Sequence, residues 1–215
     1  MEIEYSSFIP DFETFGNREL CGIVDKNGTF LYNKIYDIRR LEYNKMHTVK
    51  MFLAIDKLKN KDLIDNLISE FELNNEIYNK KLKNLSSSEL IKVLIIKLAV
   101  SRVKVIILEH IDTYLNNRDL ANILHTLKTI LDRLDKTIIF STNKIDNIIR
   151  ECTRYLIASE DHLIYKGTNI EDIPEKTEIM KFVDAANKKK AKLVYYKDAS
   201  DLLKAIYRSV KKWNI

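Results

Sequence analysis

Glycine is scarce: 4 residues in 215, about 2% against a usual ~7%. A loop that wraps phosphate with its backbone amides consumes glycine, so the scarcity bears on whether such a loop exists here. Cysteine occurs only twice. Cys21 and Cys152 stand in unrelated contexts, without a CxxC pair or neighbouring histidines, which excludes a zinc cage or a disulfide framework and marks both as buried or half-buried thiols. Long apolar runs are missing too. The longest, residues 93–108, is broken by Lys97, Arg102 and Lys104, so it cannot supply the roughly 20 uninterrupted apolar residues of a membrane span. The first residues, MEIEYSSFIPDFE, are acidic where a secretory leader is basic, and no apolar core follows, so a cytosolic location is expected.

The composition is otherwise that of a folded domain. Hydrophobic residues make up 46% and charged residues 31% of the chain, and the length suits one core with a small appendage. A net charge of +5 is mild and its lysines are dispersed, which does little for nucleic-acid binding.

Residues 20–24 (LCGIV) read as a short buried strand, followed by the turn-forming DKNG of residues 25–28 and a helical stretch from Thr29. Residues 48–83 carry helical periodicity, with Leu53, Ile55, Leu58, Leu63, Ile64, Leu67 and Ile68 apolar, and read as two or three helices. Ser86 can cap a helix beginning near Ser87, with Glu89 completing a capping box. The apolar VIIL of residues 105–108 and TIIF of residues 137–140 read as central parallel strands joined by an amphipathic helix over 117–134, a βαβ unit. A helix over 145–152 and a strand–turn–strand over 154–167 follow. Pro174 marks a boundary, after which come a lysine-rich helix over 176–190, a short strand at Leu193 and a terminal helix from about Ala199. In that last helix Leu202, Leu203, Ile206, Tyr207, Val210 and Trp213 fall on one face, which needs a packing partner. The cluster KKKAK at 188–192 reads as a solvated helix end.

Three landmarks stand in order between residues 85 and 143: LSSSE from Leu85, VIILEHIDTYLN from Val105 and TIIFSTN from Thr137. Together they resemble the ABC-type ATPases, in which the corresponding strings read LSGGQ, four apolar residues then DEPTxxLD, and an apolar strand ending in STH. The resemblance covers roughly residues 18–168. It implies an α/β fold of the P-loop NTPase-like ABC ATPase type: a mostly parallel sheet with helices on both faces, plus a helical subdomain at about 48–90. Residues 1–173 would form this domain and residues 174–215 a C-terminal α-β-α extension.

The same resemblance locates a nucleotide site and shows it altered. The family's phosphate loop reads GxNGxGK followed by Ser/Thr and Leu. Here Asn27, Gly28, Thr29 and Leu31 match, but the residues between Gly28 and Thr29, including the lysine, are missing, and Lys26 stands on the other side of the turn. Losing two or three charge-assisted hydrogen bonds at about 1.5 to 3 kcal/mol each amounts to roughly 5 kcal/mol, or about 10³ to 10⁴ in affinity. Glu109 replaces the magnesium-positioning aspartate and is the candidate metal ligand. His110 replaces the glutamate that polarises water, Asp112 the following Thr or Ser, and Asn143 the histidine that meets the terminal phosphate. Glu109, His110 and Asn143 are thus the candidate catalytic residues. Asn27, Gly28, Thr29, Ser86 and Ser88 are the candidate nucleotide contacts, with Ser86 the hydroxyl that in the family reaches the opposite subunit's nucleotide. Ser86 reads equally as a helix cap.

The expectation is a degenerate ABC transporter ATP-binding-subunit-like protein, a non-hydrolysing scaffold or regulator. Its partners would be a membrane permease, a second ABC ATPase subunit or a second copy of itself, at the inner face of the cell membrane and without nucleic acid. Tight cofactor binding is not expected. Mg-ATP enters only under the alternative of a divergent but active ATPase driving transport. A second alternative is a free-standing cytosolic interaction or immunity protein on the same fold.

Overall fold

Four apolar segments and one mixed segment form the sheet of this computed structural model, which describes residues 18–25, 42–159, 162–174, 176–191, 193–195 and 199–211. Strands β1 (Leu20–Asp25), β2 (Val105–Glu109), β3 (Thr137–Thr142), β4 (Arg154–Ser159) and β5 (His162–Gly167) lie in the order β2-β3-β1-β4-β5. The first four are parallel and β5 returns antiparallel to β4. Near-continuous apolar runs suit strands covered on both faces, and Ile106 to Leu108 and Ile138 to Phe140 are fully buried. Strand β2 was expected to be central. Among the described residues it pairs with β3 alone, so burial of its side chains comes from packing above and below it rather than from flanking strands.

The βαβ unit forms as expected. Helix α3 (Asn117–Leu134) starts where the Asn116 side chain accepts from the Asp119 amide and ends at left-handed Asp135. Leu120, Ile123, Leu124, Leu127, Ile130, Leu131 and Leu134 make its buried stripe, at the spacing an amphipathic helix requires. Helix α4 (Ile145–Ile149) packs on β1 and β3. It lies so close that a Cβ on Gly22 would sit 2.5 Å from Ile148 Cβ and 2.9 Å from Cys152 Sγ. Here the lack of a side chain sets the helix-to-sheet distance. Both thiols are buried; burial and the Glu19 carboxylate push Cys21 up to about 12. At the strand's amino end, Arg154 donates two 2.8 Å hydrogen bonds to Glu19.

The segment expected as two or three helices is one 22-residue helix, α1 (Val49–Glu70), followed by two 3-10 turns, Asn75–Asn79 and Leu82–Asn84. No glycine or proline interrupts α1, so once the Thr48 hydroxyl caps its start nothing stops it before left-handed Glu72. Ile77 and Leu82 pin the two turns into the core. Helix α2 (Ser87–Ala99) packs beside α1.

Helices α5 (Glu178–Lys188) and α6 (Ala199–Lys211) follow. Among the described residues 193–195, no strand forms where a short one was expected at Leu193. The Asn187 side chain donates to the Leu193 carbonyl and accepts from its amide, both at 2.7 Å, taking both groups a ladder would need. The apolar stripe on α6 is only partly covered: Leu202 is buried, whereas Leu203 and Tyr207 are 61% and 74% exposed. The side chain of Val210 and all of Trp213 lie outside the described residues. Lys188, Lys189 and Lys190 are exposed, as a solvated helix end requires.

Candidate functional site

Parallel register brings the carboxyl ends of β2, β3 and β1 together: Glu109 lies beside Ser141, and Thr142 beside Val24. In open parallel sheets, ligands bind in the crevice outside these strand ends. Asn27, Gly28 and Thr29, the candidate phosphate-loop residues, lie outside the described residues, as does the helical stretch expected after them.

Glu109 ends β2 and is only 5% exposed. His110 then turns the chain sharply, with φ 47° in the left-handed region, a conformation histidine tolerates better than most side chains. Its amide donates to the Ser141 carbonyl at 3.0 Å, and its carbonyl accepts from the Thr113 hydroxyl at 2.7 Å. A 3-10 turn, Ile111–Thr113, follows and buries Ile111. The reversal carries Asp112 across to β3 and α4. Its Oδ2 accepts from the Thr142 hydroxyl at 2.7 Å and from the Asn147 amide at 2.9 Å. Thr142 Oγ1 in turn accepts from the Lys144 backbone amide at 3.1 Å. Asp112 Oδ1 is buried without a hydrogen-bond partner.

Asn143, the candidate contact to a terminal phosphate, stands exposed beyond β3. Asn147, one turn on in α4, is the asparagine that joins the strand-end network. A magnesium-bound triphosphate needs outward donors for its oxygens and an accessible carboxylate for its metal. Among the described residues Thr142 and Asn147 donate to Asp112 and Glu109 is buried, which leaves Asn143 as the exposed amide at this strand end. No three acidic, histidine or cysteine side chains gather as a metal site among the described residues.

LSSSE is the start of α2. The Glu89 amide donates to the Ser86 hydroxyl at 3.2 Å, and the Ser86 amide donates to Glu89 Oε2 at 2.9 Å, the reciprocal capping box. Lys80 holds the other carboxylate oxygen at 2.8 Å. Burial works against ionisation of Glu89, but the hydrogen bonds from Lys80 and Ser86 outweigh it and lower its pKa. Ser86 is exposed and Ser88 half-buried. Ser87, Leu90 and Ile91 of the same helix face Ile111 and Tyr114 across a cleft of about 200 Å³. The start of α2 and the turn after β2 are therefore neighbours, though more than fifteen residues separate them.

Sequence reasoning overlooked Asn147 and Lys80. Neither carries a local signal: each acquires its role only when β3 meets the turn after β2, or when the 3-10 turns fold under α2.

No protein-family model matches the chain. In sequence it is similar to an uncharacterised ABC transporter ATP-binding protein of Methanocaldococcus jannaschii, 28% identical over 205 residues that cover 92% of this chain and 75% of that protein. In structure it is similar to CbiO1 of Clostridium perfringens, part of the ABC transporter complex CbiONQ, with a TM-score of 0.61, 18% identity and coverage of 82% of this chain and 87% of that one. A transporter described as metal-chelate type, in an inward-facing conformation, gives a TM-score of 0.57 at 13% identity, covering 72% and 73% of the two chains. The archaeal ribosome recycling factor aABCE1, in complex with the ribosomal stalk protein aP1, gives 0.50 at 16% identity, covering 66% of this chain and 32% of that one. These likenesses and the sheet order agree on the ABC ATPase fold. No described helix is long and apolar enough to cross a membrane.

Proposed function

We propose that this ABC transporter ATP-binding-like protein is a non-hydrolysing member of a membrane-transport assembly, a scaffold or regulator that sits at the cytoplasmic face beside a permease and, in a dimer, beside a second ATP-binding subunit. The observation that supports this reading most directly is the state of the residues at and just after the end of β2. Glu109 is buried, and a histidine in a left-handed turn stands where a water-polarising carboxylate would be needed. General-base groups contribute about 10² to 10⁴ to rate only when they can reach the proton they remove. Partnership with a permease is inferred from likeness to CbiO1, which belongs to a transporter complex.

The test is calorimetric titration of the full chain with Mg-ATP, phosphate-release assays, and co-purification from membranes. Expected are binding no tighter than millimolar, no release above background, and recovery with an integral membrane protein. Micromolar Mg-ATP affinity with turnover abolished by Glu109→Ala would establish the divergent ATPase instead. A lone monomer that recovers no membrane protein would exclude the transport role.

A further inference from the structure

We propose that Asp112 is a built-in acceptor that closes the strand-end crevice to phosphate, so that anion exclusion is an active property of this side chain and not only the result of missing loop residues. The inference rests on the non-hydrolysing reading and names the residue responsible. Thr142 and Asn147, from β3 and α4, present two donors at the place where β1, β2 and β3 end. Both donate to one carboxylate oxygen, at 2.7 and 2.9 Å. A phosphate oxygen entering the crevice would find these donors taken.

The second oxygen strengthens the case. Asp112 Oδ1 is buried and unpartnered, and a bare anionic oxygen is the group that a phosphate least tolerates nearby. Glu109 lies three residues away at the end of β2. The cation next along the chain, Lys144, is exposed, and it meets the network through its backbone amide. Among the described residues, the carboxylate that meets Thr142 and Asn147 therefore brings a negative charge to the strand ends. The position of Asp112 is not adjustable: His110 is held left-handed, its amide bound to the Ser141 carbonyl, and the Ile111 side chain that follows is buried. A neutral hydroxyl at position 112 would remove the charge and release the half-buried Asn147 amide from its carboxylate partner, while Thr142 stays buried.

The experiment titrates the full chain and its Asp112→Thr and Asp112→Asn variants with Mg-ATP in a calorimeter, with thermal melts of each alone and with nucleotide. Removing the like charge of Asp112 raises affinity at least about tenfold on Asp112→Thr, with a nucleotide-dependent rise in melting temperature absent from the parent. Asp112→Asn gains less, because its amide oxygen still accepts from Thr142. A folded Asp112→Thr chain that binds no tighter than the parent, or fails to bind as the parent does, overturns the inference and leaves the scaffold reading standing. Tight binding by the parent overturns both. Should Asp112→Thr not fold, the near-isosteric Asp112→Asn decides: any gain in affinity supports the inference, and none refutes it.

Discussion

Replacing Ser86 by alanine removes the hydroxyl that accepts from the Glu89 amide at 3.2 Å while leaving Ser86's own amide donating to Glu89. Loss of an N-cap hydroxyl costs about 1 kcal/mol, which for a chain of this length lowers the melting temperature by about 2 to 4 °C. Ser86→Asp, another good cap, recovers most of that. Glu89→Gln removes the ion pair with Lys80 and a favourable charge at the helix start, a loss of about 0.3 to 1 kcal/mol. Its pH dependence has a defined sign. Because the folded pKa of Glu89 lies below its ordinary value of 4.5, its contribution is whole above that value and is lost as pH falls through the lower folded value. The gap between parent and Glu89→Gln therefore closes in acid. Urea denaturation at pH 7 and at descending pH measures all of this. Unchanged stability of Ser86→Ala, together with weakened Mg-ATP binding, would refute the cap reading and assign the hydroxyl to a ligand.

Gly22→Ala places a methyl 2.5 Å from Ile148 Cβ and 2.9 Å from Cys152 Sγ, an overlap that forces α4 off the sheet and destabilises by about 1 to 3 kcal/mol in urea melts. In thiol labelling at pH 8, Cys21 and Cys152 stay unmodified in the folded chain and react once it is denatured, since both are buried and Cys21 is pushed up to about 12. Rapid labelling of the native protein would contradict their placement.

Elements governed by local rules were legible in the sequence. Helix α3 carries its cap, its period and its terminus in consecutive residues, and the capping box at Ser86 is written in four. No strand forms over the described residues 193–195, where the side chain of Asn187, six residues earlier, takes both backbone groups of Leu193. Helix α1 was read as several because apolar spacing does not say where a helix stops without a breaker. The candidate site divides in the same way. That Glu109 and His110 follow the apolar VIIL segment is visible in the letters, whereas the partners of Asp112 are Thr142 and Asn147, which lie 30 and 35 residues further on.

By itself the sequence determined a βαβ core of the ABC ATPase fold and the identities of the residues that end its strands, because apolar period, capping and motif order act over a few residues at a time. Only the tertiary structure decided that the Glu109 carboxylate is buried, that Asn147 and not Asn143 completes the network, and that Leu203 and Tyr207 of the α6 stripe stay exposed. Those outcomes depend on which surfaces meet once the strands align, and a buried carboxylate takes its partners from whatever donors the opposing elements bring within reach.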